Sequence, residues 1–171
     1  MKDNLKTIGV AGLGLLGRGI AACCLAHGFE VIAFSRRRET HEAAGSYIGQ
    51  AIDDLIKRAG FPPSLRGDWS ERYTAATSFI DFDRCDLVIE SVIEDLEVKH
   101  AVFDQIEAVV RPDVPIASNT SSLPIALLQK GRKHPDRFMG MHWAEPSHAT
   151  RFMELIRGPE TSESVFQAVA Q

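Results

Sequence analysis

The sequence lacks the features that would direct it to a membrane or to nucleic acid. None of its apolar runs approaches the ~20 residues that a membrane-spanning helix needs. Its formal net charge is -4, so its charge does not favour binding to nucleic acid or to an anionic membrane surface. Internal repeats and low-complexity segments are also missing. We therefore expect a globular protein that acts on a small molecule.

Cysteine is scarce, and its positions exclude a metal site. The sequence has 3 cysteines, Cys23, Cys24 and Cys85, and their spacing does not match a set of metal ligands. Cys23 and Cys24 fall in a predicted helix, where a small apolar core role is favoured. This pattern favours the reducing cytoplasm. Residues 1–4 lead directly into the first predicted strand, so we expect no leader peptide.

A glycine-rich turn near the start is the strongest local signal. The apolar run Ile8–Ala11 predicts a strand, Gly12-x-Gly14-x-x-Gly17 follows it, and a helical pattern comes next. In this context Gly12 allows a tight turn, Gly14 lets a pyrophosphate approach, and Gly17 lets the helix pack against the strand. The alternative is an ordinary glycine-rich turn between a strand and a helix.

The start of that helix supplies the second half of the prediction. Its first N–H groups, those of Leu15 and Leu16 included, have no partner within the helix and face the expected phosphates. The helix dipole also favours negative charge at this end. We therefore predict that Gly12, Gly14, Leu15, Leu16 and Gly17 bind a dinucleotide cofactor.

The acid that usually holds the cofactor ribose is missing. It is expected at the end of the second strand, Glu30–Phe34, but Ser35, Arg36 and Arg37 stand there, and the first carboxylate is Glu39. An arginine can hold a 2′-phosphate with two parallel hydrogen bonds. Ser35, Arg36 and Arg37 therefore favour NADP over NAD, although the arginines could simply form a solvated basic cluster.

Strands and helices alternate along the rest of the chain. The predicted strands are Ile8–Ala11, Glu30–Phe34, Tyr73–Thr77, Asp86–Val92, Pro115–Ser118, Phe138–His142 and Phe152–Ile156. The later predicted helices are Glu39–Ala59, Leu96–Val110 with Asp95 as N-cap, Leu123–Lys130, and a last one capped by Ser162 or Ser164. This order predicts an α/β fold of the Rossmann type, a doubly wound, mostly parallel sheet with helices on both faces.

Longer motifs carry a more specific resemblance. They are Asp86–Lys99, the Ser-Asn-Thr-Ser-Ser-Leu run of Ser118–Leu123, Gly140–His142 and Phe152–Ser162. From Ile8 to Ser162 the chain resembles the N-terminal, NAD(P)-binding half of the 3-hydroxyacyl-CoA dehydrogenase family, which acts in fatty acid metabolism. We therefore expect residues 1–171 to form one dinucleotide-binding domain. The helical second domain of that family, which forms its homodimer, is absent from this sequence.

The resemblance implies a role for several residues. It implies that Glu94 and Lys99 contact the nicotinamide side of the cofactor and that Asn119 also binds the cofactor. It implies that Ser121 hydrogen-bonds substrate or cofactor. Finally, it implies that His142 is the general base and that Glu154 orients it. The last pair has support from the residues themselves. Glu154 lies between Met153 and Leu155 in an apolar strand, where a buried carboxylate needs a partner. We therefore predict a hydrogen bond between His142 and Glu154, although a core histidine beside a local carboxylate would look the same.

One departure from the family pattern leaves the substrate open. Glu145 stands where the family usually has asparagine, so an acid is expected beside the nicotinamide and the substrate. The leading hypothesis is an oxidoreductase that passes a hydride from the 3-hydroxyl carbon of a 3-hydroxyacyl-CoA to NAD(P)+. A smaller 3-hydroxy acid is the second hypothesis, because Glu145 departs from the pattern of the acyl-CoA enzymes and could either repel an anionic substrate or bind a cationic group. A non-catalytic NAD(P)-binding module is the third.

Overall fold

The computed structural model describes residues 5–150 and 152–170; residues 1–4, on which the expectation of no leader peptide rests, lie outside this range. The strands are β1 Thr7–Ala11, β2 Glu30–Phe34, β3 Tyr73–Ala76, β4 Leu87–Glu90, β5 Ile116–Ser118, β6 Phe138–Trp143 and β7 Met153–Arg157. The helices are α1 Leu15–Ala26, α2 Arg38–Ala59, α3 Leu65–Asp68, α4 Leu96–Glu107, α5 Ile125–Gln129 and α6 Glu163–Ala170. Three short 3-10 helices lie at Ser70–Arg72, Phe79–Arg84 and Pro135–Arg137.

All seven strands form one sheet in the order β3-β2-β1-β4-β5-β6-β7. Every neighbouring pair is parallel except β6 and β7, which are antiparallel. The chain leaves β1 towards β2 and β3 and then returns to place β4 on the other side of β1. A crevice forms at such a reversal, at the carboxyl ends of β1 and β4. The strand order and the mostly parallel pairing confirm the predicted α/β fold class.

Two apolar clusters cover the two faces of the sheet. Helices α1, α2 and α6 pack on one face, against side chains such as Val10 and Ile89. Helices α4 and α5 pack on the other, against side chains such as Val88 and Ile116. The alternation along β4 explains this, since Val88 and Ile89 point to opposite faces. The cysteines are core residues, and burial raises the pKa of all three thiols to about 12.

Several predicted boundaries change for identifiable reasons. The predicted strand Asp86–Val92 shortens to Leu87–Glu90. Before it, the Asp86 carboxylate accepts the N–H groups of Lys6 and Thr7, and after it the Val92 N–H donates to the Glu90 carboxylate rather than to a neighbouring strand. Helix α5 begins only after Pro124. Asp95 caps α4 as predicted, accepting the Val98 N–H at 2.9 Å, but α4 ends at Glu107.

Within residues 5–150 and 152–170 we find no helix with the length and hydrophobicity that a membrane span requires.

Candidate active site

The turn between β1 and α1 is closed towards the protein and open outwards. Gly12 has a φ of +106°, and a Cβ there would lie 2.4 Å from the carbonyl oxygen of Ser91. A Cβ on Gly17 would lie 2.0 Å from the carbonyl oxygen of Gly12, whereas one on Gly14 would meet nothing within 4 Å. The free space therefore lies at Gly14, where a pyrophosphate could approach the backbone.

Helix α1 presents its start to the same space. Gly14 is its N-cap residue, and the first turn contains no acid that would compete with an anion. Leu15 is 44% exposed, and Leu16 is half-buried. Because the first N–H groups of a helix have no partner inside it, the predicted cofactor-binding residues of this turn fit a dinucleotide phosphate.

A pocket of about 610 Å³ lies beyond the end of β2. We call it the β2 pocket, and it is lined by Ser35, Arg36, Arg38, His41, Glu42, Ala75 and Thr77. Arg38 is paired with Glu42, with Nε and Oε1 3.1 Å apart, while Arg36 makes no ion pair within the described ranges. Arg37 is exposed as the N-cap residue of α2 and does not line the pocket. Of the two predicted arginines, only Arg36 is placed there.

A buried ion pair stands beneath the carboxyl ends of β4 and β5. Lys99 Nζ lies 2.8 Å from Glu90 Oε1 and 3.1 Å from Glu94 Oε2, and its side chain is only 1% exposed. Glu90 is 0% exposed and also accepts hydrogen bonds from the Ser118 hydroxyl at 2.6 Å and from the Val92 N–H at 2.7 Å. The contact of Lys99 with the nicotinamide stays a prediction, and in this structure its ammonium group lies between the two carboxylates.

Glu94 organises the loop that follows β5. Its Oε1 accepts hydrogen bonds from the Thr120 hydroxyl at 2.5 Å and from the backbone N–H groups of Ser121 and Ser122, each at 3.0 Å. Partial burial alone would raise the pKa of Glu94, but the hydrogen bonds from Thr120, Ser122 and Lys99 outweigh it and lower the pKa to about 2. Glu94 therefore stays ionised and holds Ser121, which is exposed in the loop that follows β5.

Asn119 is occupied within the protein. Its Oδ1 accepts the Trp143 N–H at 2.9 Å, and its Nδ2 donates to the Ser91 hydroxyl at 3.1 Å. Asn119 is only 7% exposed. The role of Asn119 as a cofactor-binding residue stays a prediction, and in this structure each of its two polar atoms makes one hydrogen bond to a protein group.

His142 and Glu154 lie directly opposite each other on β6 and β7. The predicted hydrogen bond is present, with His142 Nδ1 3.0 Å from Glu154 Oε2. The expectation that Glu154 is buried is wrong, since its side chain is 51% exposed and that of His142 is 26% exposed. Strand β7 is the edge of the sheet, so its apolar sequence does not mean that both of its faces are covered.

Glu145 is exposed on the turn that follows β6. Ser147, which is 4% exposed, fixes this turn to α1, because its hydroxyl lies 3.5 Å from the Leu16 carbonyl oxygen. A Cβ on Gly19 would lie 3.0 Å from the same hydroxyl, so the small residue at position 19 makes room for the turn. The turn therefore lies against the helix that starts at the expected phosphate site.

A second opening lies between the far ends of α1 and α2 and the segment that joins β6 to β7. This α1–α2 cleft has a volume of about 640 Å³. Its lining residues are Cys23, His27, Asp54, Leu55, Arg58, Ala59, Phe61, Trp143, Ser147, His148, Ala149, Thr150, Phe152 and Met153. Trp143 of β6 and Met153 of β7 line this cleft. Because successive side chains of a strand point to opposite faces of the sheet, His142 and Glu154 lie on the other face.

Two residues of the site were missed by sequence reasoning. Glu90 and Ser118 hold Lys99 and join β4 to β5. The signal for Glu90 was available, because it is a carboxylate at the end of an apolar strand, Leu87–Glu90, and such an acid needs a partner. Ser118 had no comparable signal.

The fold and the glycine turn define a dinucleotide-binding domain of the Rossmann type. Comparison with known proteins makes this more specific. The sequence model of the family "3-hydroxyacyl-CoA dehydrogenase, NAD binding domain" matches residues 7–171, and the chain belongs to this family.

Individual relatives agree with this assignment. A probable 3-hydroxybutyryl-CoA dehydrogenase of Deinococcus radiodurans is 32% identical over 166 residues, which cover 95% of this chain and 58% of that protein. The crystal structure of (S)-3-hydroxybutyryl-CoA dehydrogenase from Ralstonia eutropha superimposes with a TM-score of 0.91 at 32% identity, covering 97% of this chain and 59% of that one. That of 3-hydroxybutyryl-CoA dehydrogenase from Escherichia coli K12 gives 0.91 at 29%, covering 98% and 35%. The chain thus spans less than two thirds of these relatives.

Proposed function

We propose that residues 1–171 form the cofactor domain of an NAD(P)-dependent 3-hydroxyacyl-CoA dehydrogenase. The observation that carries this proposal is the hydrogen bond between His142 Nδ1 and Glu154 Oε2, 3.0 Å long. It lies at the carboxyl ends of the parallel strands, as does the open turn at Gly14. The reaction converts the 3-hydroxyl of the substrate to a ketone. When bound, NAD(P)+ supplies the acceptor for the hydride that leaves C3.

His142 takes the proton of the 3-hydroxyl in this proposal. Because its Nδ1 is bonded to the Glu154 carboxylate, the hydrogen-bond pattern assigns the ring proton to Nδ1 and leaves the lone pair on Nε2. Nε2 is then free to accept the hydroxyl proton, and Glu154 stabilises the imidazolium that forms. The hydride and the proton together account for the two hydrogens lost by the substrate.

The substrate class rests on the relatives. Three of the similar proteins carry the name 3-hydroxybutyryl-CoA dehydrogenase. We therefore favour a 3-hydroxyacyl-CoA over a free 3-hydroxy acid.

The substrate proposal is tested with a matched panel. We expect NAD(P)+ reduction with 3-hydroxybutyryl-CoA at a higher kcat/KM than with free 3-hydroxybutyrate. If Glu145 repels anionic substrates, Glu145→Asn should raise kcat/KM for the CoA ester about tenfold, equivalent to ~1.4 kcal/mol, because water and salt screen much of the charge of this exposed residue. A preference for the free acid would support the small-acid hypothesis. No turnover of either compound, with the cofactor bound, would support a binding module and contradict the proposal.

We further propose that the protein prefers NADP(H) to NAD(H). The support is the β2 pocket, where Ser35 takes the place of an acid and Arg36 has no ion-pair partner among the described residues. A charge-assisted hydrogen bond contributes ~1.5–3 kcal/mol, or roughly tenfold to a hundredfold in affinity. Because Arg36 is exposed, the advantage should shrink as salt screens it.

Calorimetric titration of both cofactors tests this preference. The variant Ser35→Asp with Arg36→Gln should reverse the order of affinities. Arg37→Gln is the matched control, since it removes the same charge from a residue outside the pocket, and it should leave the order unchanged. Equal affinities in the wild type, or tighter NAD(H), would contradict the NADP preference. A cytoplasmic location and a homodimer stay predictions from the sequence.

A further inference from the structure

Asn119 connects the ends of three strands through one side chain. It follows the last residue of β5, and its own N–H donates to the Glu90 carbonyl oxygen at 2.8 Å. Its side chain reaches Ser91, beyond β4, through Nδ2 and reaches Trp143, the last residue of β6, through Oδ1. A short polar side chain with both ends engaged restricts the distance between the segments it joins.

The contact on the β4 side leads to the glycine turn. The Ser91 N–H donates to the carbonyl oxygen of Ala11 at 2.8 Å, and the Ser91 carbonyl lies so close to Gly12 that a Cβ there would be 2.4 Å away. The segment that Asn119 holds therefore forms the floor of the turn expected to bind the cofactor phosphates.

The contact on the β6 side replaces a missing strand partner. The parallel ladder between β5 and β6 ends with Ser118 opposite Gly140, but β6 continues to Trp143. Residues 141–143 thus pair with β7 alone, the exposed edge strand. The Asn119 amide oxygen accepts the Trp143 N–H three residues beyond the end of that ladder. His142 precedes Trp143, so this bond joins the segment that carries His142 to the end of β5.

We propose that Asn119 is a positioning residue that fixes His142 relative to the turn at Gly12–Gly17. It acts through Ser91 and Trp143 and does not touch the cofactor. This inference rests on the proposed function of His142 as the base. It replaces the role of cofactor ligand that the sequence suggests for Asn119, since the side chain is 7% exposed and its two polar atoms are engaged.

The test compares Asn119→Leu, which keeps the approximate shape but makes neither hydrogen bond, with Ser91→Ala, which retains the bond to Trp143. Three quantities are measured in each variant: hydrogen exchange of the Trp143 amide, the Kd for NADH and NADPH, and kcat. For Asn119→Leu we expect faster exchange at Trp143, a Kd within about twofold of wild type, and kcat lowered about tenfold to a hundredfold, since small misplacements of a reacting group cost that much. Ser91→Ala should keep the Trp143 amide protected and change kcat less.

A different pattern would overturn the inference. If Asn119→Leu weakens cofactor binding tenfold or more while the Trp143 amide stays protected, Asn119 is a cofactor ligand. If Asn119→Leu does not fold, Asn119→Ala, in which water can fill the space, is measured in the same way. Faster exchange at Trp143 with unchanged cofactor affinity supports the positioning role even if no hydroxyacyl-CoA turns over, a result that would count against the proposed function alone.

Discussion

The two halves of the candidate site place similar ionisable groups in opposite surroundings. Below β4 and β5, Glu90 of β4 and Lys99 of α4 are 2.8 Å apart with side chains 0% and 1% exposed. At β6 and β7, Glu154 and His142 are 3.0 Å apart with side chains 51% and 26% exposed. Each pair joins a carboxylate to a nitrogen over nearly the same distance, but only the first pair is buried.

Burial decides what each pair can do. A buried pair must stay complete, because losing one partner leaves a charge that water cannot solvate. An exposed pair contributes little to stability, since water already solvates both groups, but it can exchange protons with a substrate. The β4–β5 half therefore serves as framework, and the β6–β7 half is available for chemistry.

The largest expected effect comes from breaking the buried pair. Lys99→Met leaves Glu90 without its cation and should lower the free energy of unfolding by ~3–5 kcal/mol. Glu154→Gln is the matched change in the exposed pair and should cost less than ~1 kcal/mol. Urea denaturation of both variants measures this difference. Equal losses would show that burial does not separate the two halves.

The glycine turn gives the next largest effect. Gly17→Ala brings a Cβ to 2.0 Å from the Gly12 carbonyl oxygen, and such overpacking should cost ~1–3 kcal/mol of stability. Gly14→Ala meets nothing within 4 Å, so it should fold with wild-type stability and still bind NAD(P)H more weakly, because the new methyl group occupies the phosphate space. Thermal unfolding and calorimetric titration separate the two effects. Wild-type affinity in folded Gly14→Ala would place the phosphates elsewhere.

The sequence predicts the framework where local signals and fold rules agree. The strand Glu30–Phe34 is found with its predicted ends. A glycine, Gly28, lies shortly before it, and the polar residues Ser35 and Arg36 follow it directly. The contact of His142 with Glu154 also follows from the sequence, since both residues lie on neighbouring strands in the structure as the family motifs imply.

The burial and the contacts of individual side chains could not be predicted from the sequence. Glu154 has apolar neighbours, so it was expected to be buried, yet the sequence does not reveal that β7 is an edge strand. Asn119 and Lys99 belong to motifs that suggest ligand contact, but only the three-dimensional arrangement shows that protein groups already occupy them. Residue identity thus predicts which side chains come together, while their burial follows only from the packing.

The smallest expected effect is in the acid range. Glu94 and Glu163 both have a pKa lowered to about 2, Glu94 by hydrogen bonds that outweigh its partial burial and Glu163 mainly by its hydrogen bond from Arg157. A carboxylate with a lowered pKa stabilises the fold above its unfolded pKa, and that contribution is lost as the pH falls from about 4.5 to about 2. Glu94→Gln and Glu163→Gln should each flatten this loss.

Salt separates these two carboxylates. Glu163 is exposed beside Arg157, so added salt should remove most of its contribution. That of Glu94, made by hydrogen bonds from the loop and by the buried Lys99, should persist because buried pairs are screened much less. Urea midpoints of the wild type and both variants, measured over this pH range at low and high salt, provide the check. The same salt dependence for both would contradict the distinction.

We propose that the cofactor site and the exposed pair of His142 and Glu154 act in one reaction, and the variant His142→Gln tests this. We expect kcat for 3-hydroxybutyryl-CoA oxidation to fall by ~10²–10⁴, the usual contribution of a general base, while the Kd for NAD(P)H stays within about twofold of wild type. A variant that keeps the wild-type kcat, or that loses kcat only because the cofactor no longer binds, would contradict it.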